Sequence, residues 1–183
     1  MTGRASRWVS LWLSLKPWHA ALAAGLLAAA VAAPSLANGF VLDDRYVIAN
    51  RPVLEQPRSL GAVLKEPYWP PEVGAGLWRP AVLASYALDY RVSGRPGWFH
   101  LVNVFWAGAA AAVLALVVAG VFGPRTALIA GALFAVHPVH VEATANVIGR
   151  AELMAAAGYG LALLAARAAE QKRWWLLAVA AAG

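Results

Sequence analysis

The chain has 183 residues, 61% of them hydrophobic and 13% charged, with a formal net charge of +6 and no cysteine. A charged fraction about half that of an ordinary soluble domain leaves too much apolar surface to hide in water, and the missing thiols exclude disulfide and thiolate chemistry. The basic residues sit at the ends of apolar runs rather than on one polar face, which argues against nucleic acid and suits a membrane orientation signal; no P-loop, dinucleotide fingerprint or zinc-ligand spacing is present.

In chain order, no charge lies between Lys16 and Asp43, between Arg95 and Arg125, or between Arg125 and Glu142. Each gap reaches or approaches the length of a crossing of about 20 residues. The first apolar segment, roughly 18–36, follows Arg4, Arg7 and Lys16 and reads as a transmembrane helix with a cytoplasmic amino terminus. A cleaved signal peptide competes, because Ser35-Leu36-Ala37 resembles a cleavage site, but the leader and apolar stretch are long for one. A polar segment, 38–98, follows. Ser59 suits the cap of a short helix carrying Leu60, Val63 and Leu64, and Pro80 suits a helix start with Leu83, Tyr86, Ala87 and Tyr90 on one stripe. These read as helices lying on the membrane surface, with Trp69, Trp78, Trp98 and Phe99 at headgroup level.

A second span, 99–122, turns at Gly123-Pro124-Arg125 into a third, 126–141, which His137-Pro138 should kink or end. A fourth covers 151–166, and a fifth begins at 174. The expectation is an all-α integral membrane protein of about four complete transmembrane helices plus the start of a fifth, forming one domain over 1–183 with a large structured first outer loop. Alternating spans place Arg4, Arg7 and Lys16, then Arg125, then Arg167, Lys172 and Arg173 on one side, as the positive-inside rule asks. Residues 38–98 then lie on the outer side. The chain stops inside an apolar run and so reads as an amino-terminal fragment, and its richness in Ala, Trp and Arg looks bacterial, which points to the inner membrane.

Asp43-Asp44, just beyond the first span, is the most informative feature. Paired carboxylates at an interface can bind a cation, orient an acceptor or act as general base, and alternation along an extended segment gives the two different roles. A solvated loop with an Asp capping a turn is the plainer alternative. In HPVHVEATANVIGRAEL, residues 137–153, a helix would put Glu142, Asn146 and Arg150 on one polar stripe, lining a cavity or making a structural Glu142 to Arg150 contact. His137 and His140 are weak zinc ligands without a third partner, and the need for a metal is left open. WRPAVLASYALDY, then WFHLVN, adds Arg79, Asp89, His100 and Asn103 to the same outer face, where Arg79 can also serve as a headgroup anchor.

In order, NGFVLDDRYVIAN, WRPAVLASYALDY before FHLVNVFWAG, and FAVHPVHVEATANVIGRAELMAA resemble the transmembrane and tetratricopeptide repeat proteins over about residues 36–160. Those are glycosyltransferases of GT-C architecture whose animal members are O-mannosyltransferases using dolichyl-phosphate mannose. The resemblance implies a polyprenyl-phosphate sugar as donor and a protein or glycan hydroxyl as acceptor. It makes Asp43 and Asp44 catalytic and offers Arg79, His100, His137, His140, Glu142 and Arg150 for the donor phosphate or substrate. No tetratricopeptide repeat is in the chain, and further spans expected of the family are missing from it. A transporter segment, with Glu142, Asn146 and Arg150 in the path, and a noncatalytic anchor for a repeat domain are the alternatives.

Overall fold

The structure is a computed structural model that describes residues 14–57, 59–73 and 76–170. The fifth expected span and the flanking Arg4, Arg7, Lys172 and Arg173 lie outside the described residues. Among those described there is no strand. The helices are α1 (Pro17–Ala32, continued by a 3-10 turn Ala33–Ala37), α2 (Pro52–Glu55), α3 (Leu60–Lys65), α4 (Pro80–Val92), α5 (Pro96–Phe122), α6 (Pro124–Val136), α7 (Val141–Ala145) and α8 (Arg150–Glu170). A π-helical turn covers Arg45–Ala49, and 3-10 turns cover Pro71–Val73 and Pro138–His140. Many of these starts are prolines, whose missing N–H costs nothing at a helix's first position.

Among the described residues, two segments, Pro17–Ala37 and Pro96–Phe122, are long and apolar enough to cross a membrane, and the chain is an integral membrane protein. Pro124–Val136 and Pro138–Ala145 reach that length only together and are bent by 51° between them. The expected interruption therefore falls at His137, whose backbone is extended (ψ 127°). Helix α8 has 21 residues but carries Arg150, Glu152, Arg167 and Glu170, and it is less apolar than the other two.

The chain divides into two compact units. One gathers residues up to 31, 107–138 and those from 155 onward. Its helices are packed inside out relative to a soluble bundle. In α1 the buried positions are Ala20, Ala21, Ala24 and Ala28, while Leu22, Leu26 and Val31 are exposed. In α6, Ala127, Gly131 and Ala135 are buried in steps of four, with Ile129 and Leu133 outward. Small residues let helix backbones approach where lipid supplies the apolar surroundings for the large ones. A Cβ added at Gly25 would lie 3.0 Å from the Gly108 carbonyl, and one at Gly131 would lie 2.7 Å from the Ala24 Cβ. Gly123, at φ 84°, makes the expected turn between α5 and α6, a conformation that favours glycine.

The other unit comprises residues 32–106 and 139–154. Its core is Val47, Ile48, Leu54, Val63, Tyr68, Val82, Leu83, Tyr86, Ala87, Phe99, Val147 and Ala151. Ser59 caps α3 as expected, its hydroxyl accepting from the Ala62 amide at 3.2 Å. Leu83, Tyr86 and Ala87 do form a stripe on α4, but it faces this core. The headgroup placement expected of the aromatics needs correcting at Phe99, which is fully buried between Phe40, Tyr86 and Tyr90. Trp98 is half-buried and donates to Asp89 Oδ1 at 3.2 Å. Trp78 remains exposed.

Candidate functional site

The acidic pair is split by a turn. Leu42 takes the left-handed conformation at φ 44°, rare for a non-glycine residue and a local strain of roughly 1 kcal/mol. The Asp44 amide donates to the Val41 carbonyl at 2.9 Å and the Arg45 amide to Leu42 at 3.2 Å, so the chain turns sharply into the following helical turn. Asp43 is left exposed and Asp44 fully buried. The two do have different surroundings, but through a turn and not through the alternation of an extended segment.

Asp44 is a clamp. Its Oδ1 accepts from the amides of Val147 and Ile148 at 3.0 and 2.9 Å, and its Oδ2 from the Val41 amide at 3.2 Å. Three backbone donors, rather than neighbouring Arg45, hold the carboxylate; the Arg45 guanidinium lies exposed and donates to the Phe40 carbonyl at 3.4 Å. The segment so gripped, 146–149, is tied by further side chains. Asn103 Nδ2 donates to the Asn146 and Val147 carbonyls at 3.1 and 3.0 Å, Tyr86 Oη to Val147 at 3.1 Å, and Tyr68 Oη to Ile148 at 3.4 Å. Asn146 Oδ1 accepts from the Gly149 amide at 3.0 Å. Gly149 is packed so close to the Ala143 backbone that any Cβ would collide.

This segment breaks the helix expected over residues 137–153 and so overturns the polar stripe. Helix α7 ends at Ala145 and α8 begins at Arg150, and Glu142, Asn146 and Arg150 do not share a face. Glu142 is exposed. Arg150 is fully buried and pairs with Asp89 at 2.5 Å, not with Glu142. Its remaining contacts are Asn103 Oδ1 at 2.8 Å, Ser85 Oγ at 3.1 Å and the Phe99 carbonyl at 2.9 Å, with Tyr86 stacked 4.6 Å beneath the guanidinium. Arg150 thus faces inward and presents no surface to a phosphate here, and the transporter alternative loses the stripe it needed. Burial pushes the Asp89 carboxyl above its ordinary value, with Arg150 pulling against it. Burial also raises the Tyr86 and Tyr68 phenols, and it lifts Tyr90, aided by the charge of Glu55, to about 12.

His100, offered by the resemblance for phosphate, is also buried, with Nε2 3.4 Å from the Gly39 carbonyl. His137 belongs to the other unit. The remaining three, Arg79, His140 and Glu142, line a cavity of about 570 Å³ within the unit that carries the acidic pair. Tyr68, Trp69, Leu77, Val139, Ala143, Asn146, Ile148, Gly149 and Glu152 complete its wall. Arg79 stacks 4.8 Å over the Tyr68 ring and pairs with Glu152 at 3.6 Å, both side chains partly exposed. The sequence pattern alone does not mark Tyr68, Trp69 or Glu152 as site residues. The aromatic pair in PYWPP was the available signal for the first two, and Glu152, two residues after Arg150, carried none. Among the described residues, no group of three or more His, Asp, Glu or Cys side chains is placed to hold a metal ion.

The same unit therefore holds an exposed carboxylate on a strained turn and a cavity whose wall is fixed by that turn's second carboxylate. The chain is 31% identical over 170 residues to Protein O-mannosyl-transferase TMTC4 of Mus musculus, covering 82% of this chain and 23% of that protein. Its relatives are protein O-mannosyl-transferases. Protein O-mannosyl-transferase Tmtc1 of Drosophila melanogaster is 38% identical over 147 residues, 77% of this chain and 17% of the relative. Tmtc2 of the same fly is 35% identical over 137 residues, 71% and 15%. The chain spans about a quarter or less of the length of these curated relatives. No protein-family model and no solved structure matches it.

Proposed function

We propose that this chain is the acceptor-activating part of a GT-C-type membrane glycosyltransferase that moves a sugar, mannose in its named relatives, from a polyprenyl-phosphate donor to a hydroxyl of a protein or glycan. The division of the acidic pair carries this reading. Asp44 is committed to three backbone amides, whereas Asp43 stands exposed one residue away. A general base must present its carboxylate to the substrate, and the exposed Asp43 side chain is free of the backbone bonds that occupy Asp44. Asp43 takes the proton of the acceptor hydroxyl as its oxygen attacks the anomeric carbon. The bond from that carbon to the phosphate oxygen breaks, its electron pair leaves with the polyprenyl phosphate, and the anomeric configuration inverts. The leaving phosphate calls for cations and hydrogen-bond donors; with Arg150 and His100 buried, Arg79 and His140 remain to the reading as ligands of the donor substrate.

The donor's tail stays in lipid while the acceptor arrives from water, so residues 38–98 lie on the non-cytoplasmic face, in the reading's bacterial setting the outer side of the inner membrane. The test is Asp43→Asn in the full-length protein, assayed for mannose transfer from polyprenyl-phosphate mannose to a serine- and threonine-containing acceptor protein. Yield should match the wild type while transfer falls by roughly 10² to 10⁴. Wild-type transfer by Asp43→Asn would overturn the assignment.

A further inference from the structure

The cavity beside the clamped segment has a charge balance that selects its ligand. Arg79 is its guanidinium, and Glu142 and Glu152 bring two carboxylates. Arg79 is already engaged by Glu152 at 3.6 Å, so a phosphate seated inside would meet Glu142 with little net positive charge to hold it. A neutral, polyhydroxylated ligand has the opposite preference, because carboxylates are strong acceptors for hydroxyl donors.

The other wall residues fit the same chemistry. Asn146 spends its Oδ1 on the Gly149 amide, and among the described residues its Nδ2 donates to no partner. Trp69, half-buried and set edge-on to Tyr68 with ring centroids 5.9 Å apart, supplies an indole surface at low conformational cost. The wall that carries Asn146 is pinned by Asp44, Tyr68, Tyr86 and Asn103, so its donor is held in place before any ligand arrives. The volume, about 570 Å³, is in the range of small-molecule sites.

We infer that this cavity seats a neutral pyranose, with Glu142 and Asn146 reading its hydroxyls and Trp69 covering a ring face, and that the phosphate of a lipid-linked sugar lies beyond it. This rests on the glycosyltransferase reading for the source of the sugar, but not for its chemistry. The pyranose comes from the donor or from a saccharide already on the acceptor.

The experiment measures equilibrium binding to the full-length protein in lipid nanodiscs with three probes: polyprenyl-phosphate mannose, bare polyprenyl phosphate and a mannosylated peptide. Wild type, Glu142→Ala and Trp69→Leu are compared. Glu142 is exposed, so its removal leaves the fold intact, and the bare lipid reports that directly. If the cavity seats the donor sugar, the variants weaken polyprenyl-phosphate mannose at least tenfold and leave bare polyprenyl phosphate within twofold. If it seats an acceptor saccharide, the mannosylated peptide is the probe that weakens, which supports the pyranose site and moves its source. Equal loss of both lipids would make the cavity a phosphate site and overturn the inference, and so would unchanged binding of both mannosylated probes. Failure of the wild type to bind either lipid would sink the glycosyltransferase reading, while the peptide arm would still decide the cavity.

Discussion

Replacing Asp44 with alanine removes three hydrogen bonds at once and orphans their donors. The Val147 amide lies fully inside the unit, and those of Ile148 and Val41 are partly buried. An unsatisfied buried donor costs about 1–3 kcal/mol, so one full and two partial penalties sum to roughly 3–5 kcal/mol, a large share of a typical domain's stability. Asp44→Asn differs in kind. Its carboxamide oxygen can keep the two bonds to Val147 and Ile148, but its NH₂ then faces the Val41 amide, donor against donor. Losing that bond and the charge assistance on the others amounts to about 1–2 kcal/mol. Asp43→Ala, at an exposed site, should stay within about 0.5 kcal/mol of wild type. Thermal unfolding in nanodiscs, read beside hydrogen exchange across residues 145–150, gives the ranking Asp44→Ala, Asp44→Asn, Asp43→Ala. An Asp44→Ala protein with wild-type midpoint and wild-type protection at Val147 and Ile148 would show that the clamp does not hold that segment.

Arg150→Ala should destabilise by about 3–5 kcal/mol by stranding the Asp89 carboxylate, and Asp89→Leu combined with Arg150→Met should recover most of that in the same unfolding assay. Because the folded Tyr90 phenol titrates near 12 against 10 unfolded, the folded state holds its proton through that window and the unfolded state does not, so stability should decline as pH rises from about 10 to about 12. Tyr90→Phe should abolish this slope, at the cost of the 3.0 Å bond to the Ile48 carbonyl, and an unchanged slope would show that the phenol is not its source. Gly131→Leu should lower the folded yield in membranes severalfold, because even a Cβ there falls 2.7 Å from that of Ala24, whereas Gly158→Ala, which meets nothing within 4 Å, should not. Cysteine placed at position 56 should label only from the non-cytoplasmic side.

Local rules were enough for several element ends. Proline at a first helical position, Ser59 as a cap, Gly123 at a positive φ and His137 before Pro138 each act within a few residues, and each lies where the sequence put it. Hydropathy likewise marked the two long apolar spans, because a membrane crossing is a property of one continuous segment. The ordered motifs that resemble the O-mannosyltransferases were legible for the same reason, being strings of neighbours.

Side-chain environment was not local. Arg150 looked like a phosphate ligand at the end of a helical stripe. It is buried because the 146–149 segment breaks that helix and because Asp89, far off in sequence, waits to pair with it. Asp43 and Asp44 are equivalent as letters. One is exposed and the other spent because amides more than 100 residues away converge on Asp44. The cavity was invisible for the same reason, since Trp69, Arg79, Glu142 and Glu152 come from separate elements. The sequence by itself determined the helix caps, the glycine turn and the two long apolar segments, since those choices are made by adjacent residues. Only the tertiary structure decided which polar groups are consumed in holding the fold and which are left for chemistry, because a buried donor or charge takes whatever partner the packing brings to it.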